Sequence, residues 1–124
     1  MRIIINGSSM VPIYEQIVDQ IKTLILKGEL LENDILPSVR SLSRDLKISA
    51  LTVKKAYDTL EQEGFTVTVH GKGTYVAPPN LDRMREEYQK ELEQDLETFI
   101  QKARRYGFSK EELNDLWNLM TEEE

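Results

Sequence analysis

Residues 37–64 read PSVRSLSRDLKISALTVKKAYDTLEQEG, and they contain the clearest structural pattern of the chain. Two short amphipathic helical patterns follow each other in it, separated by residues 46–49. Each pattern begins after a serine, Ser38 or Ser49, whose hydroxyl can accept a hydrogen bond from an unpaired backbone N–H at the start of a helix. Gly64 closes the second pattern, because glycine readily adopts the left-handed conformation that ends many helices. Two helices joined by so short a turn predict a helix-turn-helix, whose second helix can enter the major groove of DNA.

The apolar residues indicate which side of each helix is buried. They recur at helical spacing, so that within each pattern they fall on one face. We expect the buried faces to consist of Val39, Leu42 and Leu46 in the first helix and of Val53, Ala56, Tyr57 and Leu60 in the second. Leu51 falls close to the opposite side of the second helix, so we expect it to be exposed unless it folds back onto the turn.

The charges of the same stretch favour contact with nucleic acid. Residues 37–55 contain five basic residues and one acidic residue, Asp45, in a chain whose net charge is −6. A basic surface confined to one part of an acidic protein marks the part that can neutralise phosphates. Taken alone, such residues could equally form an ordinary solvated helix face. They are Arg40, Arg44, Lys47, Lys54 and Lys55.

Length and composition narrow the classes of protein. The 124 residues have room for one domain and an appendage. The chain has no cysteine, which excludes disulfides and thiolate metal sites. It contains no apolar run of about 18 residues and no recognisable signal peptide, so we expect a cytoplasmic protein. Residues 1–80 are neutral overall, whereas residues 81–124 carry the whole net charge of −6, which predicts that they avoid DNA.

The sequence before the helix-turn-helix predicts one more helix. Pro12 opens it, as proline does at a first helical position, and Gly28 ends it. Residues 2–5 could form a short strand or an arm packed on the core, and the sequence does not decide between them. Residues 35–36 are an apolar pair that could add a small strand.

The sequence after the helix-turn-helix predicts a β-hairpin. Residues 65–69 alternate and are rich in β-branched side chains, residues 70–73 contain two glycines, and residues 74–77 form a returning strand. A helix, a small strand, two helices and a hairpin make a winged helix-turn-helix. The predicted fold class is therefore mainly α, with a small β-hairpin wing and a C-terminal extension of two helices.

Residues 78–80, Pro-Pro-Asn, predict the domain boundary. Residues 1–79 would form the DNA-binding domain and residues 80–124 a helical dimerisation extension. A long apolar stripe flanked by charge runs from residue 81 to residue 103, Gly107 interrupts it, and Ser109 with Glu112 forms a capping box for a second helix.

The stripes of these two helices need a partner. The partner could be the winged domain, but a long stripe far from that domain is better suited to a two-fold interface with a second copy of the chain. Trp117 could alternatively line an aromatic ligand pocket. The predicted dimerisation residues are Tyr88, Leu92, Leu96, Phe99, Leu113, Leu116 and Trp117.

Three segments together resemble the GntR family of bacterial transcription regulators. They are YEQIVDQIKTLILKGEL, LPSVRSLSRDLKISALTVKKAYDTLEQEGF and HGKGTYV, within residues 10–77. The short helical extension is similar to the YtrA subfamily, whose members lack a large effector domain. The resemblance implies a dimeric DNA-binding repressor, often encoded beside the genes of an ABC transporter that it controls.

The resemblance also implies which residues meet operator DNA. In the family, these are the arginine after the LPS motif, the residues that open the second helix, and the glycine turn of the wing. By position they are Arg40; Ser49, Ala50, Leu51, Thr52 and Lys54; and His70 and Gly71. This chain departs from the family at Ala50 and Leu51, where many members carry arginine and a polar residue. It also has Lys47 where glycine is usual.

The chemistry of individual side chains supports part of this set. The guanidinium of Arg40 can bind phosphate or guanine in a bidentate manner, although it could instead pair with Asp45. Lys54 and Lys55 lie opposite the apolar face and could contact phosphates. Leu51 could meet a thymine methyl group.

Catalysis finds no support in the sequence, which contains one histidine and no nucleophile motif. We expect neither an enzyme, a cofactor nor a metal site. The expected partners are an operator in double-stranded DNA and a second copy of the chain, with an effector left open. Two alternatives remain: a winged-helix module that binds proteins rather than DNA, and a sensor that holds a small molecule between its C-terminal helices.

Overall fold

The computed structural model describes residues 1–122, apart from the side chain of Arg83. Within them the chain forms five helices and one antiparallel hairpin, which confirms the predicted winged helix-turn-helix. In chain order these are α1 (Ile13–Leu26), α2 (Val39–Leu46), α3 (Ala50–Gln62), β1 (Thr66–Val69), β2 (Gly73–Val76), α4 (Leu81–Arg105) and α5 (Lys110–Thr121).

The chain divides into two compact units, Met1–Met84 and Arg85–Glu124. We call them the winged unit and the helical unit. The domain boundary expected after residue 79 stays a prediction. Residues 123 and 124 of the expected second domain lie outside the described residues.

Helix α3 is the centre of the winged unit. Its apolar face is buried as predicted, because α1, α2 and the hairpin all pack around it. Val39 and Leu46 of α2 are only half-buried at the edge of this core, whereas Leu42 is buried. The core consists of Ile3, Ile17, Val18, Ile21, Leu36, Leu42, Val53, Ala56, Tyr57, Leu60, Phe65 and Val76.

Residues 2–5 form an arm rather than a strand. Ile3 is buried, and two glutamines of α1 replace the partner strand. The side-chain amide of Gln20 accepts from the Ile4 N–H (2.9 Å) and donates to the Ile4 carbonyl (2.7 Å). Gln16 holds Asn6 in the same way, at 2.8 and 3.0 Å. The open alternative is thus decided by side chains that are distant in sequence.

Two local expectations were wrong in detail. Pro12 lies at the N-cap position directly before α1 instead of at the first helical position, because its backbone is extended (φ −54°, ψ 145°). Residues 35–36 form no strand: Ile35 makes a single bridge to Tyr75, and the Leu36 N–H donates to the Thr74 carbonyl (2.8 Å).

The hairpin forms the wing, with Thr66 opposite Val76 and Val69 opposite Gly73. It begins one residue later than predicted because Phe65 turns into the core. Gly73 belongs to the returning strand, with a φ of 134° that favours glycine. The Thr68 and Thr74 hydroxyls lie 3.0 Å apart across the strands and form a cross-strand hydrogen bond.

The helical unit has almost no core of its own. Ala103 is the one buried residue among those described in it. The predicted capping box is confirmed: Ser109 Oγ accepts from the Glu112 N–H, and the Glu112 carboxylate accepts from the Ser109 N–H. None of the described helices has the length and apolar character that crossing a membrane requires.

Candidate nucleic-acid interface

The start of α2 presents Arg40 to solvent. Ser38 caps the helix as predicted, since its Oγ accepts from the Ser41 N–H at 3.0 Å. Arg40 is exposed on the first turn. Within the part of the chain that the structure describes, it forms no ion pair with Asp45 or another acid. Its fork of N–H donors is therefore available for an external anion.

The turn between α2 and α3 is held by backbone geometry. Lys47 adopts the left-handed conformation (φ 58°, ψ 45°) that glycine usually supplies. The Ile48 N–H donates to the Ser43 carbonyl (3.1 Å), and Ser43 Oγ donates to the Ile48 carbonyl (2.6 Å). The turn therefore forms without glycine, and its geometry sets the direction in which α3 starts.

The start of α3 lies at the surface. Ser49 Oγ accepts from the backbone N–H groups of Leu51 (3.0 Å) and Thr52 (3.4 Å), which confirms the predicted cap. Ala50 is exposed and Thr52 is half-buried. Leu51 is 77% exposed, so it points away from the core and does not fold back onto the turn. A helix N-terminus also carries a partial positive charge that attracts phosphate.

Two lysines follow on the exposed side of α3, and both have an intramolecular partner. Lys54 Nζ lies 2.8 Å from Asp58 Oδ2. The hydrogen bond to Asp58 and its negative charge raise the pKa of Lys54, so the ammonium stays charged. Lys55 Nζ lies 4.0 Å from the centre of the Tyr14 ring, within the range of a cation–π contact. Leu51, Lys54, Lys55 and Asp58 line one shallow groove together with Thr59 and Gln62.

Tyr57 ties the two helices of the motif together. Its ring is buried, and its hydroxyl donates to the Pro37 carbonyl at 2.7 Å. Burial raises the pKa of Tyr57, so the phenol stays neutral at physiological pH. Because Pro37 directly precedes the cap of α2, this bond fixes where α2 starts, and with it Arg40, relative to α3.

The tip of the wing carries the other predicted contacts. His70 and Gly71 lie in the exposed turn between β1 and β2. Gly71 has a φ of 78°, and a side chain added there would meet open space, so backbone conformation alone favours glycine. They lie on a different element from Arg40 and from the α3 groove, and the Thr68 N–H donates to the Glu61 carboxylate (3.3 Å), which joins the wing to α3.

The predicted dimerisation residues leave an apolar surface in the helical unit. All are exposed except Leu113, which is half-buried, and Trp117 is 65% exposed. Phe99, Leu113 and Leu116 line an apolar recess of about 200 Å³ with Lys102, Ala103, Tyr106 and Phe108. Trp117 does not line this recess.

The sequence analysis does not predict three interactions of these side chains. The Lys54–Asp58 pair was detectable, because the two residues are four apart on a helix. The contact of Lys55 with Tyr14 and the hydrogen bond of Tyr57 join residues that are distant in sequence, so no local pattern announces them. In the described residues, no cluster of histidine and acidic side chains is arranged to hold a metal ion.

Comparison with known proteins agrees with this geometry. Residues 13–76 match the model of the gntR family of bacterial regulatory proteins. The chain is 38% identical over 111 residues to the HTH-type transcriptional repressor YtrA of Bacillus subtilis, covering 90% of this chain and 85% of that one.

Solved structures share the fold. A transcriptional regulator from Oenococcus oeni superposes with a TM-score of 0.71 at 33% identity, covering 94% of this chain and 96% of that one. The DNA-binding domain of AraR, in complex with an operator, superposes with a TM-score of 0.56 at 29% identity, covering 62% of this chain and 96% of that one.

Proposed function

This chain belongs to the gntR family of bacterial regulatory proteins and is a DNA-binding transcription regulator, and we propose that it acts as a homodimeric repressor. The proposed DNA face rests on the difference between the exposed side and the buried side of α3. Leu51 is 77% exposed, whereas Val53, Ala56 and Leu60 on the other side are fully buried. The exposed side begins at a helix N-terminus, which is the part of this motif that reaches base edges.

The proposed contacts divide into those that position the protein and those that read sequence. Contacts to the DNA phosphates position the protein, and they come from Lys54, Lys55 and the capped N-terminus of α3, where Ser49 and Thr52 lie. The turn at His70 and Gly71 approaches a sugar-phosphate strand from the wing. Arg40 binds either a phosphate or a guanine edge with its two-pronged guanidinium.

Leu51 and Ala50 are the proposed apolar readers of the operator. Neither can donate or accept a hydrogen bond through its side chain, so neither can distinguish bases by polarity. An apolar side chain can contact the methyl group of thymine in the major groove. Leu51 extends from the first turn of α3, and we assign it this contact.

The proposed homodimer rests on the apolar side chains of the helical unit. Contiguous exposed apolar surfaces of this kind mark protein interaction sites. The unit contains one buried residue among those described, which is too small a core for an independent fold. A second copy would cover Leu92, Leu96 and Trp117 and would double the number of DNA half-sites engaged.

Repression follows from occupying a promoter, and the relative named YtrA is itself described as a repressor. The resemblance to its subfamily extends the proposal to the genes of a transporter. The cytoplasm, where bacterial DNA lies, is the proposed location.

The test is a fluorescence anisotropy titration of the full-length protein with DNA from upstream of its own gene and with a random duplex of equal length. We expect preferential binding to the upstream DNA. Arg40→Ala should weaken it by about 1–3 kcal/mol. Equal affinity of the wild type for both duplexes would contradict a sequence-specific regulator of its own locus and would favour a protein-interaction module.

Leu51→Ala tests the methyl contact. We expect it to keep thermal stability, because the side chain is exposed, and to lose operator affinity. Replacing the contacted thymine with uracil, which removes the methyl group alone, should then cost the wild type more than the variant. Equal losses at every thymine of the operator would rule out the contact.

A further inference from the structure

The two lysines of α3 have partners of different kinds. Asp58 places a carboxylate 2.8 Å from Lys54 Nζ and so cancels most of its charge as seen from a distance. Tyr14 orients Lys55 through its ring but leaves its charge in place. Of the two, then, Lys55 alone attracts phosphate at full strength.

The carboxylate of Asp58 lies on the surface proposed to meet DNA. It belongs to the groove that Leu51 and Lys54 also line, and the three residues follow each other at helical spacing along one side of α3. A phosphate approaching Lys54 therefore also approaches Asp58, which repels it. This acid is a disadvantage for a protein that only has to bind DNA tightly.

The Lys54–Asp58 pair contributes little to folding. Both side chains are more than half exposed, at 63% and 54%, so solvent screens their attraction. The lysine precedes the aspartate, which is the less favourable order on a helix. Stability therefore gives no reason for Asp58 to lie beside Lys54.

We propose that Asp58 is a specificity-determining residue that restrains Lys54 on DNA in general and releases it to a phosphate where a base donates to the Asp58 carboxylate. The donor is an exocyclic amino group in the major groove, that of cytosine or adenine. On DNA without such a donor, Asp58 loses its partner when Lys54 turns to a phosphate. The unpaired carboxylate then repels the phosphates, so Lys54 stays with Asp58. The inference rests on the proposed DNA face of α3.

The principal test measures affinity against salt concentration for the full-length wild type and for Asp58→Asn. Two duplexes are used, the upstream operator and a random sequence of equal length. Asp58→Asn should bind the random duplex several-fold more tightly, with a log–log salt slope steeper by about one unit, because Lys54 then neutralises one more phosphate. Its affinity for the operator should rise less or fall, so that the specificity ratio drops. Unchanged binding to the random duplex would overturn the proposal.

Two controls separate this mechanism from a general charge effect. Asp45→Asn removes the same charge from α2, where Asp45 is exposed and forms no ion pair within residues 1–122. It should lower the specificity ratio less than Asp58→Asn does. In a Lys54→Met background, Asp58→Asn should tighten random binding less than in the wild type. Equal effects in either control would overturn the proposal.

The base contact is tested by substituting each operator base pair in turn. One position that presents cytosine or adenine should cost the wild type more than Asp58→Ala, which has no side-chain acceptor, whereas Asp58→Asn keeps one. Equal costs for the wild type and Asp58→Ala everywhere would overturn this part. Failure of the inference is distinguishable from failure of the DNA face. If Arg40→Ala and Leu51→Ala leave operator binding unchanged with intact circular dichroism, the face itself is wrong and the inference falls with it. If they weaken binding while Asp58→Asn changes nothing, the inference alone is wrong.

Discussion

The α2–α3 pair and the α4–α5 pair are joined by turns with the same hydrogen-bond pattern, but they differ in how far their apolar side chains are buried. In the winged unit, the Lys47 N–H donates to the Arg44 carbonyl (3.3 Å), and the Ile48 N–H donates to the Ser43 carbonyl (3.1 Å). In the helical unit, Gly107 and Phe108 repeat this pattern with Arg104 and Ala103, both at 3.0 Å. Both turns use a left-handed residue, and both are followed by a serine-capped helix.

What differs is the surface that each pair of helices meets. The stripe of α3 is buried by α1, α2 and the wing, whereas α4 and α5 leave Leu92, Leu96 and Trp117 exposed. Capping and turn geometry therefore specify two helices and a turn but not a domain. Burial of the apolar stripe decides whether the pair belongs to a core or to an interface.

The largest expected effect comes from removing the helical unit. A chain that ends after residue 79 should remain folded, because the core of the winged unit lies before that point. It should be monomeric and should bind the operator roughly 10²–10⁴-fold more weakly, since the second half-site no longer adds to the first. Sedimentation velocity and anisotropy titration measure the two effects. A full-length monomer at micromolar concentration, or a truncated chain with unchanged affinity, would contradict a dimer formed by the helical unit.

The change from leucine to alanine should have different effects in the two units. Leu60→Ala removes a fully buried side chain from α3 and should lower the free energy of unfolding by about 2–5 kcal/mol. Leu92→Ala removes a side chain that is 67% exposed in α4 and should leave the unfolding of the winged unit unchanged. It should instead weaken association in sedimentation equilibrium. An unaltered association constant would remove Leu92 from the proposed interface.

Features that depend on contacts between residues close in sequence, such as helix caps, could be predicted from the sequence. Ser38, Ser49 and Ser109 cap the helices they were expected to cap, because an N-cap is a contact within one turn. The exposure of Leu51 was likewise predictable from its angle on α3. The departure at Lys47 did not alter the turn, since a left-handed lysine is costly but possible.

The features that the sequence did not predict depend on tertiary packing. The arm could not be distinguished from a strand, because Gln16 and Gln20 take the place of its partner only once α1 is in position. The contact between Lys55 and Tyr14 also joins two helices. The residues that touch DNA and the partner subunit remain predictions, since periodicity identifies an exposed face and not what covers it.

A smaller effect is expected from Tyr57→Phe. It removes the hydrogen bond to Pro37 at the start of α2 and should cost about 1 kcal/mol at neutral pH. Burial raises the pKa of Tyr57 in the folded state, so the neutral phenol favours folding. That contribution is complete below the unfolded pKa of about 10 and is lost as the pH rises above it. Denaturant unfolding between neutral and alkaline pH should show a smaller loss for the variant, and parallel curves would contradict this account.

The smallest effect comes from exchanging the two turn residues. Lys47 is left-handed with a φ of 58°, which costs a side-chain-bearing residue roughly 1–2 kcal/mol. Glycine avoids that cost but loses about 0.5–1 kcal/mol of additional chain entropy on folding, so Lys47→Gly should stabilise the winged unit by about 0.5 kcal/mol. Gly107→Lys should lower helical stability by a similar amount, and its side chain would meet open space. Thermal unfolding measures both, and shifts of the same sign would contradict an effect of backbone conformation.

The exchange also tests why the winged unit keeps a strained turn. Lys47 adds a charge between two helices that carry the proposed phosphate contacts, whereas Gly107 belongs to the helical unit. Lys47→Gly should therefore be more stable and yet bind DNA more weakly, with a log–log salt slope smaller by about one unit. Lys47→Asn is the matched control, because asparagine tolerates the left-handed conformation and has no charge. If both variants bind DNA as the wild type does, the charge of Lys47 has no part in binding, and the difference between the two turns has no functional cause.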